Sequence, residues 1–534
     1  MTQTQRKKKF NITGPCIRGR DYMVDTSAKI ETIVHDYIEE GDYFVINRGR
    51  QYGKTTTLEL LYQRLKDTHI VLDFSFEGVG TDMFKDEYTF YEGLRLLFFD
   101  KLLDQGSDYT SVFENETPEK YPNRDFRKRI EELCGTSPKP VILFIDEIDV
   151  APDFDAFFNF LGMLRDKFIE RSKRNTPTFQ SVIFAGVTDL QKLKSRIRPE
   201  SEHTIRSPWN IAVPFTVDMR FAPPEIVTML ADYEADRISE GNPTGMDQMA
   251  IAERIYYYTS GYPFMVSAIC KAIDETGKPW TIEAVDETAK NFVAERNTLF
   301  GSLVANLQRD SEFASVAKNL VLDGVIINNN GNNPSIERGL ILNIFTEDEH
   351  QNVTVSNKVY ETRIANYFIA QMLTKPNWMS EKSSEAQSHF IENGELNLKF
   401  ILQRFNVFMK SEYRDRDSKF IEREARLVFL AFLKPIINGQ GNYAIEPETR
   451  NFQRMDIVVF FQGKEYVLEL KIWHGEKHND NAINQLIEYL KTRDTKEGYL
   501  LSFASNKTSP KESQVIEQDG YTIYEEVVAY NEND

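Results

Sequence analysis

The 534-residue sequence predicts an α/β protein of three or four units, with one β-sheet near each end of the chain. Three stretches carry that expectation. In DYFVINRGRQYGKTTTLELLYQRL an apolar strand runs through a tight polar loop into a helix. In PVILFIDEIDV an unbroken apolar run ends in two acids, as a strand buried on both faces does. Near the C-terminus, two apolar runs at 457–461 and 466–472 flank Gln462-Gly463-Lys464, the pattern of a hairpin.

Bulk properties narrow the function classes. Apolar content of 41% and charged content of 27% describe an ordinary globular composition. No apolar run is long enough to span a bilayer, so no membrane association is expected. The start MTQTQRKKKF is basic but lacks an apolar core and a small-residue cleavage site, which argues against a secretory signal. Cys16, Cys134 and Cys270 form no CxxC pair, so zinc fingers and a disulfide framework are not expected and a cytoplasmic setting is. A net charge of -18 opposes constitutive tight binding to nucleic acid. Local basic clusters soften that objection: Arg6 to Lys9, Arg171-Ser172-Lys173-Arg174, and the series Lys192, Lys194, Arg196, Arg198, Arg206.

In chain order, Asp25, Thr26 or Ser27 can cap an amphipathic helix bearing Ile30, Ile33, Val34 and Tyr37. The GKTT tail puts Gly53, Lys54, Thr55 and Thr56 at a helix mouth, where unpaired N–H groups face an anion. This is a P-loop, with Lys54 for the β/γ-phosphates of ATP and Thr55 for Mg²⁺. It departs from the usual spacing, because Arg48 occupies the first glycine position and Gly49 follows one residue late. The 141–145 run then ends in Asp146, a candidate holder of Mg²⁺, and Glu147, a candidate polariser of the attacking water. A further strand, SVIFAGVTDL, ends at Thr188, a candidate polar sensor. Arg206, or else Arg196, is a candidate for neutralising transition-state charge. Supplied in trans, that arginine implies a homo-oligomer; a cis arrangement fits equally well.

Beyond this core, PPEIVTMLADYEADR and AIAERIYYYTSGYPFMVSAICKAI read as helices broken at Gly261-Tyr262-Pro263. Small helices and a hairpin over residues 312–374 suggest a winged helix, which with few basic residues packs rather than binds DNA. The polar stretch 374–388 reads as a linker, and 390–440 supplies further helices. His474 and His478 sit four apart in apparent loop with no third ligand, so no zinc site is expected.

The C-terminal hairpin holds the second candidate site. Alternation puts Val467, Glu469 and Lys471 on one face, and Asp456 opens the partner strand where it can meet Glu469. Two carboxylates and one lysine are the parts needed to hold a divalent metal against a phosphodiester. Gln485 and Tyr489 are four apart, on one helical face.

Asp456, twelve residues, then Glu469-Leu470-Lys471 resembles the PD-(D/E)XK nuclease superfamily. The resemblance implies that Asp456 and Glu469 bind metal and that Lys471 orients water or steadies developing charge. It also matches Glu424 to the acid of the family's first helix, and Gln485 and Tyr489 to its QxxxY motif. Met455 stands where many members have proline. The Gly261-Tyr262-Pro263 turn resembles the nucleotide-contacting loop of STAND-type relatives of the AAA+ ATPases, and equally an ordinary helix–helix turn.

Taken in order, YMVDTS, FVINRGRQYGKTT, FIDEID, AGVTDL and SPWNIA resemble the bacterial AAA-ATPase-like domain fused to a C-terminal PD-(D/E)XK nuclease. The implied fold is an α/β P-loop NTPase parallel sheet with a helical lid and winged-helix-like segment, plus a C-terminal α/β PD-(D/E)XK nuclease fold. The expected division is 1–215 ATPase core, 216–310 lid, 311–374 winged helix, 375–389 linker and 390–534 nuclease-like domain. The implied function is an ATP-regulated nuclease using Mg²⁺ (or Mn²⁺ at the nuclease site), acting on nucleic acid, DNA ahead of RNA, in defence against phage or mobile DNA. The alternative is a regulatory ATPase whose nuclease-like domain binds nucleic acid or a partner without cleaving. A DNA-translocating motor is a third class, and no helicase motifs support it.

Overall fold

The computed structural model describes residues 7–151, 154–187, 190, 209–323, 326–329, 331–373, 390–392, 394–412, 418–437, 441–447, 455–473, 476–492, 495–505 and 512–530. Two compact units divide them, Met1–Thr288 with Ile341–Asn343, and Ala289–Leu340 with Ile344–Asp534.

The first unit begins with a two-residue parallel pairing of β1 (Lys9–Phe10) and β2 (Asp21–Tyr22), followed by helix α1 (Ser27–Ile33). Its main sheet comprises β3 (Tyr43–Asn47), β4 (Ile70–Ser75), β5 (Val141–Asp146) and β6 (Ser181–Gly186). All pairings are parallel and the order is β3-β6-β5-β4. Every residue of β5 and β6 is buried, which is why both read as continuous apolar runs rather than alternating ones. Helices α2 (Lys54–Leu65), α3 (Glu87–Asp104), α4 (Pro122–Thr136) and α5 (Asp155–Arg174) complete this layer. Its core is rich in phenylalanine, with Phe98 packed on Phe113, Phe126 and Phe179.

A buried Arg95 ties α3 to the following segment, donating to the Glu92 carboxylate at 2.6 and 2.8 Å and to the Phe113 carbonyl at 2.5 Å. Burial alone raises the Glu92 carboxyl, but hydrogen bonds from Arg95 and Thr117 outweigh it and hold the group down at about 2. The helices α6 (Pro223–Ser239), α7 (Gln248–Thr259), α8 (Pro263–Thr276) and α9 (Ile282–Ala294) follow, and α6–α8 form the helical lid of the first unit. The Gly261 turn joins α7 to α8, with Pro263 at the first helical position, where its missing N–H costs nothing.

The second unit holds α10 (Thr298–Arg309), α11 (Ser311–Lys318), α12 (Pro334–Ile341) and α13 (Lys358–Leu373) around a small sheet. That sheet has order β7-β9-β8, from Ile327–Asn328, Phe345–Glu347 (β8) and Asn352–Val355 (β9). A two-residue pairing of β10 (Ile391–Glu392) and β11 (Glu395–Leu396) precedes α14 (Leu398–Glu412) and α15 (Ser418–Ile437). A six-stranded mixed sheet follows, built from β12 (Gly441–Pro447), β13 (Met455–Phe461), β14 (Lys464–Ile472), β15 (Glu497–Ser505), β16 (Gln514–Gln518) and β17 (Tyr521–Tyr530). Its order is β12-β13-β14-β15-β17-β16. The β12–β13–β14 meander is antiparallel, whereas β14–β15 and β15–β17 are parallel. Helix α16 (Glu476–Thr492) crosses from β14 to β15 and packs Ile483, Leu486, Ile487 and Leu490 on Val467, Leu500 and Ile523.

Two local expectations change. The β13–β14 turn is two residues long rather than three, because Gln462 and Gly463 both take left-handed conformations (φ 46° and 82°), the geometry of a type I′ hairpin. The segment around His478, read as loop, begins α16 at Glu476. Glu476 and Asp480 favour a helix N-terminus, but the polar run between them carries no apolar periodicity to signal it. The 374–389 stretch expected as a linker lies outside the described residues. No helix among the described residues is long and apolar enough to cross a membrane.

Candidate functional site

The ends of β3 and β5 lie on either side of β6, so the loop after Asn47 and the acids after Ile145 open on one edge of the sheet. Gly53 caps α2 in a left-handed conformation (φ 83°), which a glycine adopts without steric cost. The first backbone bond of the helix runs from Thr57 N–H to the Gly53 carbonyl, so the amides of residues 54–56 precede the ladder and are available to an anion.

Lys54 is 6% exposed, and its Nζ donates to the carbonyls of Gly49 at 3.0 Å and Arg48 at 3.1 Å. Burial lowers its pKa, opposed by Glu147 and Asp146 nearby. The Thr55 hydroxyl donates to Asp146 Oδ2 at 2.6 Å, and the other carboxylate oxygen accepts from the Glu147 N–H at 2.8 Å. Residue Glu147 is left-handed (φ 49°, ψ 47°) and lines the adjoining cavity, and burial raises its carboxyl pKa. Thr56 turns the other way, its Oγ1 accepting from the Cys16 N–H at 3.2 Å.

Arg48 points away from this mouth. Its guanidinium donates to the carbonyls of Asn47, Phe215 and Val217 and lies over the Phe215 ring at 5.5 Å. At the first glycine position it therefore serves the loop through its backbone carbonyl, while the side chain braces the segment leading to α6. Gly49 likewise offers its carbonyl to Lys54.

The cavity beside the loop measures about 530 Å³. Residues 11–16, residues of α1, and Met219, Phe221 and Pro263 line it. Gly53, Lys54, Thr55 and Thr56 also line it. A lining that combines the amides and ammonium of the Gly53 loop with apolar side chains suits a nucleotide, whose anionic and flat apolar parts need those two environments.

The Gly261-Tyr262-Pro263 turn is part of this assembly. Tyr262 is buried, donates its hydroxyl to the Arg50 carbonyl at 2.5 Å, and meets the Tyr52 ring edge-on at 4.7 Å. A Cβ on Gly261 would lie 2.1 Å from the Phe221 carbonyl oxygen, so only glycine permits that approach. Sequence reasoning missed the lining from residues 11–16, the Tyr262 bond and the Asp149 contact with the Val187 amide. The one local signal was the Gly-Tyr-Pro turn itself.

The second candidate site lies on β13–β14. The register pairs Asp456 with Glu469 across the hairpin, and β15 sets Leu500 beside Glu469 and Ser502 beside Lys471. Directly opposed residues share a face, about 5 Å apart at Cα. Glu469 is 1% exposed, whereas Lys471 is half-buried. Gln485 and Tyr489 lie on α16, where Tyr489 packs against the hydrophobic cluster under that helix. The Oε1 atom of Gln485 is buried with no hydrogen-bond partner among the described residues. Glu424 lies on α15; its side chain and that of Asp456 fall outside the described residues, as do Thr188, Arg196 and Arg206 altogether. Among the described residues no three His, Cys, Asp or Glu side chains cluster as metal ligands.

No protein-family model matches the chain, and no curated protein does. Solved structures give distant likenesses. The ORC1 protein of Aeropyrum pernix, in a complex with DNA, matches at 12% identity over 66% of this chain and 95% of its own, with a TM-score of 0.30. The ORC2 protein of the same organism, in ADPNP–ADP complexes, matches at 12% identity over 68% of this chain and 97% of its own, with a TM-score of 0.35. Likenesses this remote carry nothing about activity.

Proposed function

We propose that the chain is an ATP-regulated, divalent-metal-dependent nuclease, with DNA the favoured substrate and an AAA-like P-loop ATPase as its switch. One observation carries the cleaving half. The hairpin register sets Asp456 opposite Glu469, with Lys471 two residues along the same strand. Helix α15 bearing Glu424 precedes that hairpin and α16 bearing Gln485 and Tyr489 follows it, the order the PD-(D/E)XK resemblance implies.

In the nucleotide half, Lys54 and the amides opening α2 would take the phosphates, and Thr55 with Asp146 would hold Mg²⁺. The ion supplies charge neutralisation on the phosphate oxygens. Glu147, its pKa raised by burial, is suited to accept a proton from an attacking water. In the nuclease half, Asp456 and Glu469 would hold a Mg²⁺ or Mn²⁺, and the Lys471 ammonium would orient water or steady negative charge.

The near-complete burial of Glu469 favours a second reading, in which this domain grips nucleic acid or a partner without cutting. Plasmid, linear duplex, single strand and RNA, each with Mg²⁺ or Mn²⁺ and with or without ATP, separate the two. Metal-dependent cleavage that changes with ATP is expected. Binding without cleavage under every condition selects the second reading. Lys54→Ala is expected to weaken ATP binding, and an unchanged affinity removes the P-loop from the proposal.

A further inference from the structure

The left-handed conformation of Glu147 needs an explanation beyond its sequence. Non-glycine residues seldom occupy this region, and a strained backbone persists only where its surroundings determine it. Three contacts converge on the turn that follows. The Ala151 N–H donates to the Ile148 carbonyl at 2.9 Å, closing the short helical turn Ile148–Val150. Ile148 is fully buried, which anchors that turn from below. The Asp149 carboxylate then accepts the Val187 N–H with both oxygens, each at 2.9 Å.

Val187 directly follows β6, whose last residue is Gly186. A Cβ on Gly186 would lie 2.7 Å from Ile148 Cγ1 and 3.2 and 3.3 Å from the two Asp149 carboxylate oxygens. The missing side chain is therefore what lets the acidic turn lie against the end of β6. Glycine at 186 and aspartate at 149 form one fitted contact between neighbouring strand ends.

We propose that Asp149 is a positioning residue for Glu147. By clamping the 148–150 turn to the Val187 amide, it fixes the left-handed backbone that presents the Glu147 carboxylate to the nucleotide cavity. In this role Asp149 acts through the turn it holds, by way of the Val187 amide. The inference rests on the proposed role of Glu147 in ATP hydrolysis.

The test uses the full chain, with steady-state hydrolysis of Mg²⁺-ATP and direct titration with a fluorescent ATP analogue. Asp149 is exposed, so replacing it leaves the core intact, and thermal melting checks that. Asp149→Ala is expected to lower kcat ~10²-fold, the loss that follows a misplaced catalytic group, while nucleotide affinity stays within about twofold. Asp149→Asn retains an acceptor for the Val187 amide and is expected to recover most of kcat. Gly186→Ala, which pushes the turn off β6 from the other side, is expected to reproduce the kcat loss. Hydrolysis by the parent with unchanged kcat in Asp149→Ala and Gly186→Ala overturns the inference alone. A parent chain that binds ATP without hydrolysing it overturns the role of Glu147, and the positioning role with it. Equal loss in Asp149→Ala and Asp149→Asn also overturns it, because the hydrogen bond would then not be what matters.

Discussion

The hydroxyl of Thr55 and the carboxylate of Asp146 meet at 2.6 Å although 91 residues separate them in sequence. The contact joins the first turn of α2 to the end of β5 and fixes the two groups that would share a magnesium ion. Thr55→Val keeps the shape and removes the donor. Mg²⁺-dependent ATP hydrolysis is expected to fall by ~10²-fold or more, comparable to losing one electrostatic contact in a transition state. Affinity for ATP without Mg²⁺ is expected to change little. Equal losses with and without Mg²⁺ in a binding titration contradict the assignment.

Tyr262→Phe removes the hydroxyl that holds the Arg50 carbonyl while leaving its ring against Tyr52. A neutral hydrogen bond of this kind contributes about 0.5–1.5 kcal/mol net. ATP affinity is therefore expected to drop by roughly two- to thirteenfold, with the fold preserved by circular dichroism. An unaltered dissociation constant shows that the turn only packs beside the P-loop.

The Glu92–Arg95 pair sets an acid limit for the first unit. Because the folded-state pKa of Glu92 lies at about 2, below its unfolded value near 4.5, the charged form stabilises the fold at neutral pH. That contribution is present above pH ~4.5 and is lost as pH falls through about 2. Glu92→Gln is expected to lower the melting temperature at pH 7 and to flatten its decline between pH 4.5 and 2. A mutant curve parallel to the parent curve across that window rules the pair out.

Lys471→Ala is expected to abolish metal-dependent cleavage, with ATP binding intact. Glu469→Gln is expected to behave alike and to weaken the response to Mn²⁺ titration. Cleavage retained in Lys471→Ala moves the chemistry away from the β13–β14 hairpin.

What could be read from the sequence was local. The strand–loop–helix around Gly53, the apolar β5 ending in Asp146, and the hairpin at Gln462 each carry their signal within a dozen or so residues. The contacts that finish the cavity beside the Gly53 loop are not local. Tyr262 and Arg50 lie 212 residues apart, and no periodicity links them. The same holds for Cys16 on Thr56 and for Asp149 on Val187. Arg48 shows the other limit: its place at the first glycine position of the loop gave no sign that its side chain lies over Phe215 and donates to two carbonyls of the segment leading to α6. The order β3-β6-β5-β4 was also invisible, since apolar strands of similar length do not announce their neighbours.

The two-residue turn at Gln462-Gly463 has a kinetic consequence. Asp456 and Glu469 are close along the chain, and a hairpin of this span zips up in about 1–10 μs, long before distant segments find one another. The acidic pair can thus acquire its alignment during synthesis, as soon as the hairpin clears the ribosome. Lengthening the turn by one residue would shift the pairing and turn one strand's side chains to the other face, so that Asp456 and Glu469 no longer stand opposite each other.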